Sequence, residues 1–175
     1  DGSTDATAEV ARVYGSRIIY LEQENLGQGA ARNAGLRVAT GQFISFLDAD
    51  DYWKPEFLAR CVEFLTTHAD VIAVSTGLVT RMFDGREMTH PALLCGGEAG
   101  TRTPYVIDDF FDMWARFDHV RTGSVLIRRS VIERAGPQRA DLRMAQDLEY
   151  WGYLATFGQW GFIPEPLWIG NSRQA

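Results

Sequence analysis

Apolar residues in this chain fall into short unbroken runs, and the stretches between those runs carry helical spacing. Ile18, Ile19, Tyr20 and Leu21 fill one run, which predicts a short buried strand over 17–21. Phe43, Ile44, Phe46 and Leu47 form a second, and 71–74 and 78–83 two more. Asp84-Gly85 is a hairpin signal that pairs 78–83 with 86–89. Later strands are predicted over 123–127, 161–163 and 166–169. Helices fill the gaps. One covers 6–14 behind the turn Asp1-Gly2-Ser3-Thr4-Asp5, and one opens at Gly27 and runs to about Ala39. Pro55 starts a third, with Phe57, Leu58, Cys61, Val62, Phe64 and Leu65 as its apolar stripe. Further helices are predicted over 105–117, over a short stretch after Arg128-Arg129-Ser130 that Gly136-Pro137 ends, and within 142–157. The stretch 90–103 is glycine-rich and reads as a loop.

Strands and helices alternate through the first half, a hairpin follows, and the second half is mixed. This order predicts an α/β fold with an open mixed sheet, parallel in its first half, with an antiparallel hairpin insertion and flanking helices. At 175 residues the chain makes one domain, 1–175. It begins at a turn with no strand in front, so an amino-terminal piece is expected to precede it. The formal net charge of −6, with no basic cluster, argues against non-specific nucleic-acid binding. Cys61 and Cys95 are far apart and fit no metal spacing; Cys61 sits in a helical stripe and is expected to pack as a small apolar residue. No signal peptide and no run of membrane-spanning length is present, which makes a cytoplasmic location the expectation; a peripheral place on the cytoplasmic face of a membrane is compatible with it, though not signalled.

The second run ends in chemistry. Asp48, Asp50 and Asp51 crowd three carboxylates into four positions at its carboxyl end. Asp48 and Asp50 are two apart, so in extended backbone they face the same way and can share a ligand. Oxygen donors of this kind suit Mg2+ or Mn2+, which take substrate phosphates as further ligands. A turn in which Asp51 caps the helix started by Pro55 explains the same residues, and the local sequence fits both readings. Asp108, Asp109 and Asp112 lie in the helical stretch 105–117 and read as a solvated face.

Asp1-Gly2-Ser3-Thr4-Asp5, Asn25-Leu26-Gly27 with Ala31-Arg32-Asn33-Ala34-Gly35, and the stretch from Gly41 to Asp51 follow one another at set intervals. Gly123 to Ser130, Gln146-Asp147-Leu148-Glu149-Tyr150-Trp151 and Pro164-Glu165-Pro166-Leu167 continue the series. In that order the motifs resemble the family 2 glycosyltransferases of the GT-A fold, over nearly the whole chain. The resemblance implies transfer of a sugar from a nucleotide-diphosphate-sugar donor to a hydroxyl of a glycan, lipid-linked or other acceptor, with inversion at the anomeric carbon. It makes Asp48-Ala49-Asp50 the DXD motif, with Asp50 on the metal and Asp48 sharing it or facing the ribose. Asp51 is then a supporting residue or a helix cap. Asp147 becomes the general base, and Asp1 the contact to the donor base. Arg32 reaches phosphate or braces the acids, with Asn33 as a hydrogen-bonding neighbour. Gly123 and Ser124 fall where an acceptor pocket is lined.

The chain also departs from the family. Relatives begin with a strand, helix and second strand before the Asp-Gly-Ser turn, commonly carry an acid where Gln146 stands, and can complete the metal site with a histidine near 169–173, where none occurs. The Gln-Arg-Trp signature of processive relatives is absent too, so polymerisation is not expected. Each residue keeps a structural explanation: Arg143 and Asp147 are spaced for a helical ion pair, Glu149 lies on another face, and Trp151 and Trp168 serve as core aromatics as well as sugar platforms. An incomplete domain that holds a nucleotide or glycan without turnover is the alternative function. A nucleotidyltransferase is disfavoured, since no glycine-rich phosphate loop follows a strand.

Overall fold

The structure is a computed structural model and describes residues 1–90, 103–117, 119–142 and 144–171. In chain order its elements are α1 (Thr7–Arg12), a 3-10 turn (Gly15–Arg17), α2 (Gln28–Val38), β1 (Phe43–Ile44), β2 (Tyr52–Trp53) and α3 (Phe57–Thr67). Then come β3 (Val71–Arg81), β4 (Glu87–His90), β5 (Tyr105–Val106), α4 (Phe110–Arg116) and a second 3-10 turn (Thr122–Ser124). β6 (Val125–Arg128), α5 (Arg129–Ala135), α6 (Gln146–Ala155) and β7 (Gln159–Asn171) complete it.

One sheet holds every described strand, in the order β1-β6-β3-β7-β2, with β4 added to β3 and β5 added to β7. β3 and β7 are its long central pair and run parallel, whereas all other pairings are antiparallel. Successive residues of one strand enter different cores: Val125 and Ile127 pack on one side with Tyr150, Trp151 and Trp160, and Leu126 on the other with Phe57, Cys61 and Leu65. Burial on both faces is why these strands appear in the sequence as unbroken apolar runs instead of alternating ones. Helices α4, α5 and α6 contribute to the first core and α3 to the second.

The open mixed sheet, its flanking helices and the hairpin at Asp84-Gly85 follow the sequence reading, with Leu78 opposite His90 and Arg81 opposite Glu87. Details differ. The first half is parallel in direction but not in pairing: β1 and β3 run the same way, yet β6 lies between them, antiparallel to both. Residues 18–21 do not form a strand, and Ile19 is 70% exposed. An apolar run becomes a strand only beside another edge that takes its backbone hydrogen bonds, and none of the described strands lies there. The two strands expected at the carboxyl end merge into β7. Its Pro164 and Pro166 are absorbed by register shifts opposite Gly77, where a Cβ would lie 2.6 Å from Pro164 O. Helix α4 starts later than predicted because 105–106 pair with β7 and Asp109 caps the helix, accepting from the Asp112 N–H at 3.0 Å. Asp112 pairs with Arg116 at 2.9 Å, in keeping with a solvated face. Cys61 is fully buried, as expected, and burial pushes its thiol up to about 12. Cys95 lies outside the described residues, as does most of the predicted loop 90–103. Among the described residues no helix is long and apolar enough to cross a membrane.

Candidate active site

Strand β1 stops at Ile44, three residues short of the end of the apolar run, and the chain continues through 45–47 to bring the acids to a cavity of about 1120 Å³. Asp48, Asp50 and Asp51 border it on one side, Thr122 and Asp147 come from the turn before β6 and from α6, and Trp168 comes from β7. The acids are held by a tight turn in which the Asp51 N–H donates to Asp48 O at 3.1 Å. Asn171, at the end of β7, pins this turn twice. Its Nδ2 donates to the main-chain oxygen of Asp50, and its N–H donates to Asp51 Oδ1 at 3.3 Å. Asp51 therefore serves the turn. It does not cap α3, whose N-cap is Glu56 with no side-chain capping bond.

Arg32 braces the cluster. Its Nη2 donates to Asp48 Oδ1 at 3.0 Å, and the guanidinium is 8% exposed against 33% for the carboxylate. Burying the cation is tolerable because Asp48 neutralises it and Gln28 Oε1 accepts from the same Nη2 at 3.3 Å. The buried Arg32 Nη1 has no hydrogen-bond partner among the described residues. Asn33 turns the other way and exchanges two bonds with the backbone of Gln138: Nδ2 donates to its oxygen at 2.8 Å, and its N–H donates to Asn33 Oδ1 at 2.9 Å. The pair fastens the segment after α5 onto α2.

Asp147 sits in the first turn of α6, where the helix dipole favours a carboxylate. The Thr122 hydroxyl donates to its Oδ2 at 3.0 Å and the Leu148 N–H to its Oδ1 at 3.0 Å. Arg143, its proposed helical partner, lies outside the described residues, and Glu149 is exposed away from the cavity. Ala145, just before this turn, adopts φ 57°, and no other described non-glycine residue has positive φ. Such backbone is costly for a residue with a Cβ and gathers at functional sites.

Other candidates are placed differently. The carboxylate of Asp1 accepts from Gln23 Nε2 at 2.8 Å and from the N–H groups of Leu26 and Gly27 at 2.9 and 3.1 Å. It thereby shapes the loop before α2 and does not border the cavity of Asp48 and Asp147. Gly123 and Ser124 are buried beneath that cavity, and Thr122 lines it in their place. Trp151 is a core residue packed near Phe46, at 6.1 Å between centroids. Trp168 borders the cavity, wedged between Gly123 and Gly170. Sequence reasoning did not single out Gln28, Thr122 or Asn171, whose roles rest on contacts with residues remote in the chain.

No group of three or more His, Cys, Asp or Glu among the described residues is arranged to hold a metal ion. Asp48 and Asp50 both border the cavity, and one or two carboxylates are the protein share that Mg2+ takes where substrate phosphates and water complete its shell.

The family model for Glycosyl transferase family 2 matches residues 1–135. An uncharacterized glycosyltransferase of Nostoc sp. (strain PCC 7120), alr2836, is 33% identical over 141 residues, covering 78% of this chain and 41% of that protein. Glycosyltransferase AglE of Haloferax volcanii is 29% identical over 166 residues, covering 89% of this chain and 49% of its own length. The crystal structure of Staphylococcus aureus TarS 1–349 in complex with UDP-GlcNAc superposes with a TM-score of 0.72 at 18% identity, covering 100% of this chain and 48% of that one. The chain thus spans less than half the length of each of these proteins. By the extent of the family match and the open mixed sheet it shares with TarS, this chain belongs to glycosyl transferase family 2.

Proposed function

We propose that the chain forms the donor-binding and base-carrying part of an inverting glycosyltransferase. The observation that carries the proposal is the convergence of Asp48, Asp50 and Asp147, from separate elements, on one cavity. The donor class is a nucleotide-diphosphate sugar, in line with the UDP-GlcNAc bound by TarS.

In this reading the acceptor hydroxyl enters beside Asp147, which takes its proton as the oxygen attacks the anomeric carbon. The bond from that carbon to the donor phosphate oxygen breaks, and the nucleoside diphosphate leaves with the bonding electrons. Attack opposite the leaving group inverts the centre. Thr122 and the Leu148 N–H fix the plane of the Asp147 carboxylate. Arg32 holds Asp48 through Oδ1, and Asn171 keeps the turn that presents Asp50. Mg2+ or Mn2+ held by Asp50 and Asp48 together with the donor phosphates would offset the charge that grows on the leaving diphosphate.

Asp147→Asn keeps an oxygen for Thr122 but cannot accept the proton. Transfer is expected to be abolished while the affinity for UDP stays within about twofold of wild type. Transfer at the wild-type rate in that variant overturns the assignment.

A further inference from the structure

Gln28, the first residue of α2, is the side chain at which the Asp48 end and the Asp147 end of the cavity meet. Its Oε1 accepts from Arg32 Nη2 at 3.3 Å and from Gln146 Nε2 at 3.0 Å. The same Arg32 Nη2 donates to Asp48 Oδ1 at 3.0 Å, and Gln146 immediately precedes Asp147. One carbonyl oxygen thus joins the carboxylate after β1 to the first turn of α6, across 118 positions of sequence. Gln28 also borders the two smaller cavities that adjoin this one, the first beneath Arg32 and the second beside Ala145.

Two features make this contact more than packing. Gln146 is 6% exposed, so its amide cannot exchange Gln28 for water without the turn opening. Its neighbour Ala145 is held at φ 57°, a strained backbone that persists only where surrounding contacts over-determine it. Those contacts are the Glu149 N–H donating to Ala145 O at 3.0 Å and the Gln146–Gln28 bond beside it. A carboxylate at position 146 would have no hydrogen to give Gln28 Oε1, so the bond as it stands needs the amide at 146.

We infer that Gln28 is a positioning residue that couples the placement of Asp48 to that of Asp147 and so holds the donor and base ends of the cavity in one relative geometry. The inference rests on reading Asp147 as the base.

The test is a double-mutant cycle of Gln28→Met and Gln146→Met in the full-length protein, followed by amide hydrogen exchange, with global stability measured in parallel. Gln28→Met is expected to speed exchange about tenfold at 145–149, the scale of one lost hydrogen bond. Gln146→Met is expected to speed exchange at 48–51 as well, and to add nothing in the Gln28→Met background. In transfer assays with UDP-N-acetylglucosamine, UDP-glucose and GDP-mannose, Gln28→Met lowers kcat about tenfold with the donor KM within about twofold. Exchange changes confined to α2, or additive effects of the two substitutions, overturn the coupling. Undiminished transfer by Asp147→Asn overturns the base instead and leaves the exchange result to decide the coupling.

Discussion

Thr122 donates its hydroxyl hydrogen to Asp147 Oδ2 at 3.0 Å, from a residue that is 5% exposed and lies one turn ahead of β6. The bond ties the central sheet to the helix that carries the proposed base. Because Thr122 is buried, its hydroxyl has few other acceptors to choose from, and the carboxylate is held in one rotamer. Thr122→Val preserves the shape and removes the donor. A hydrogen bond to a charged group contributes about 1.5–3 kcal/mol, so kcat is expected to fall by roughly ten- to a hundredfold. Thr122→Ser keeps the hydroxyl and is expected to stay within about threefold of wild type. Equal loss in both variants would mean that the methyl group, and not the bond, matters.

The acids were legible in the sequence because they punctuate the apolar run 43–47, in which Phe43 packs against one core and Ile44 and Phe46 against the other. The apolar run over 18–21 looked just as strand-like, but local composition cannot report whether a neighbouring strand edge exists. What the sequence hid at the site is long-range. Thr122 meets Asp147 across 25 positions, Asn33 meets Gln138 across 105, and Gln28 meets Gln146 across 118. Glutamine and threonine carry no pattern of their own, and their roles arise only once the sheet and α6 are placed together. Ala145 was silent for the same reason, since nothing in an alanine announces a left-handed backbone.

The proposed cation makes a prediction that needs no turnover. With few protein ligands at hand, the ion and the nucleoside diphosphate should bind as a unit. EDTA is expected to weaken UDP binding by about tenfold or more in calorimetry, and Asp50→Ala to weaken it similarly with Mn2+ present. UDP affinity that is indifferent to both treatments removes the metal from the proposal.

Gly123 and Gly35 give opposite expectations for the same substitution. A Cβ at Gly123 would lie 1.9 Å from Trp168 Nε1, and Trp168 cannot retreat freely because Gly170 flanks its other side, where a Cβ would come within 2.2 Å of the ring. Gly123→Ala is expected to destabilise by roughly 1–3 kcal/mol and to change the tryptophan fluorescence as the indole shifts. Gly35 lies inside α2 with nothing within 4 Å of an added Cβ. Gly35→Ala is expected to stabilise by about 0.4–1 kcal/mol. Urea unfolding of the two variants checks both signs.

The core also sets how the fold responds to alkali. Burial pushes the Cys61 thiol from its ordinary 9.0 up to about 12. Burial, with Tyr153 nearby as a lesser cause, pushes the Tyr150 phenol from 10.0 up to about 12. Tyr150 is anchored besides, donating to Gly136 O at 2.8 Å. Both groups keep their protons in the folded chain over a range in which the unfolded chain has lost them. Stability from this source is fully present below pH 9 and is lost as the pH rises through the folded values near 12. Each group contributes a slope of up to about 1.4 kcal/mol per pH unit, with Cys61 acting first and Tyr150 joining it about one unit higher. Urea unfolding at intervals from pH 8 to 11 should therefore show a decline that steepens above pH 10. Cys61→Ala loses some packing at every pH, but it should flatten the segment between pH 9 and 10, over which Tyr150 is protonated in the folded state and still mostly protonated in the unfolded one. A decline in Cys61→Ala as steep as wild type over that segment would show that the thiol is not shielded by the core around α3.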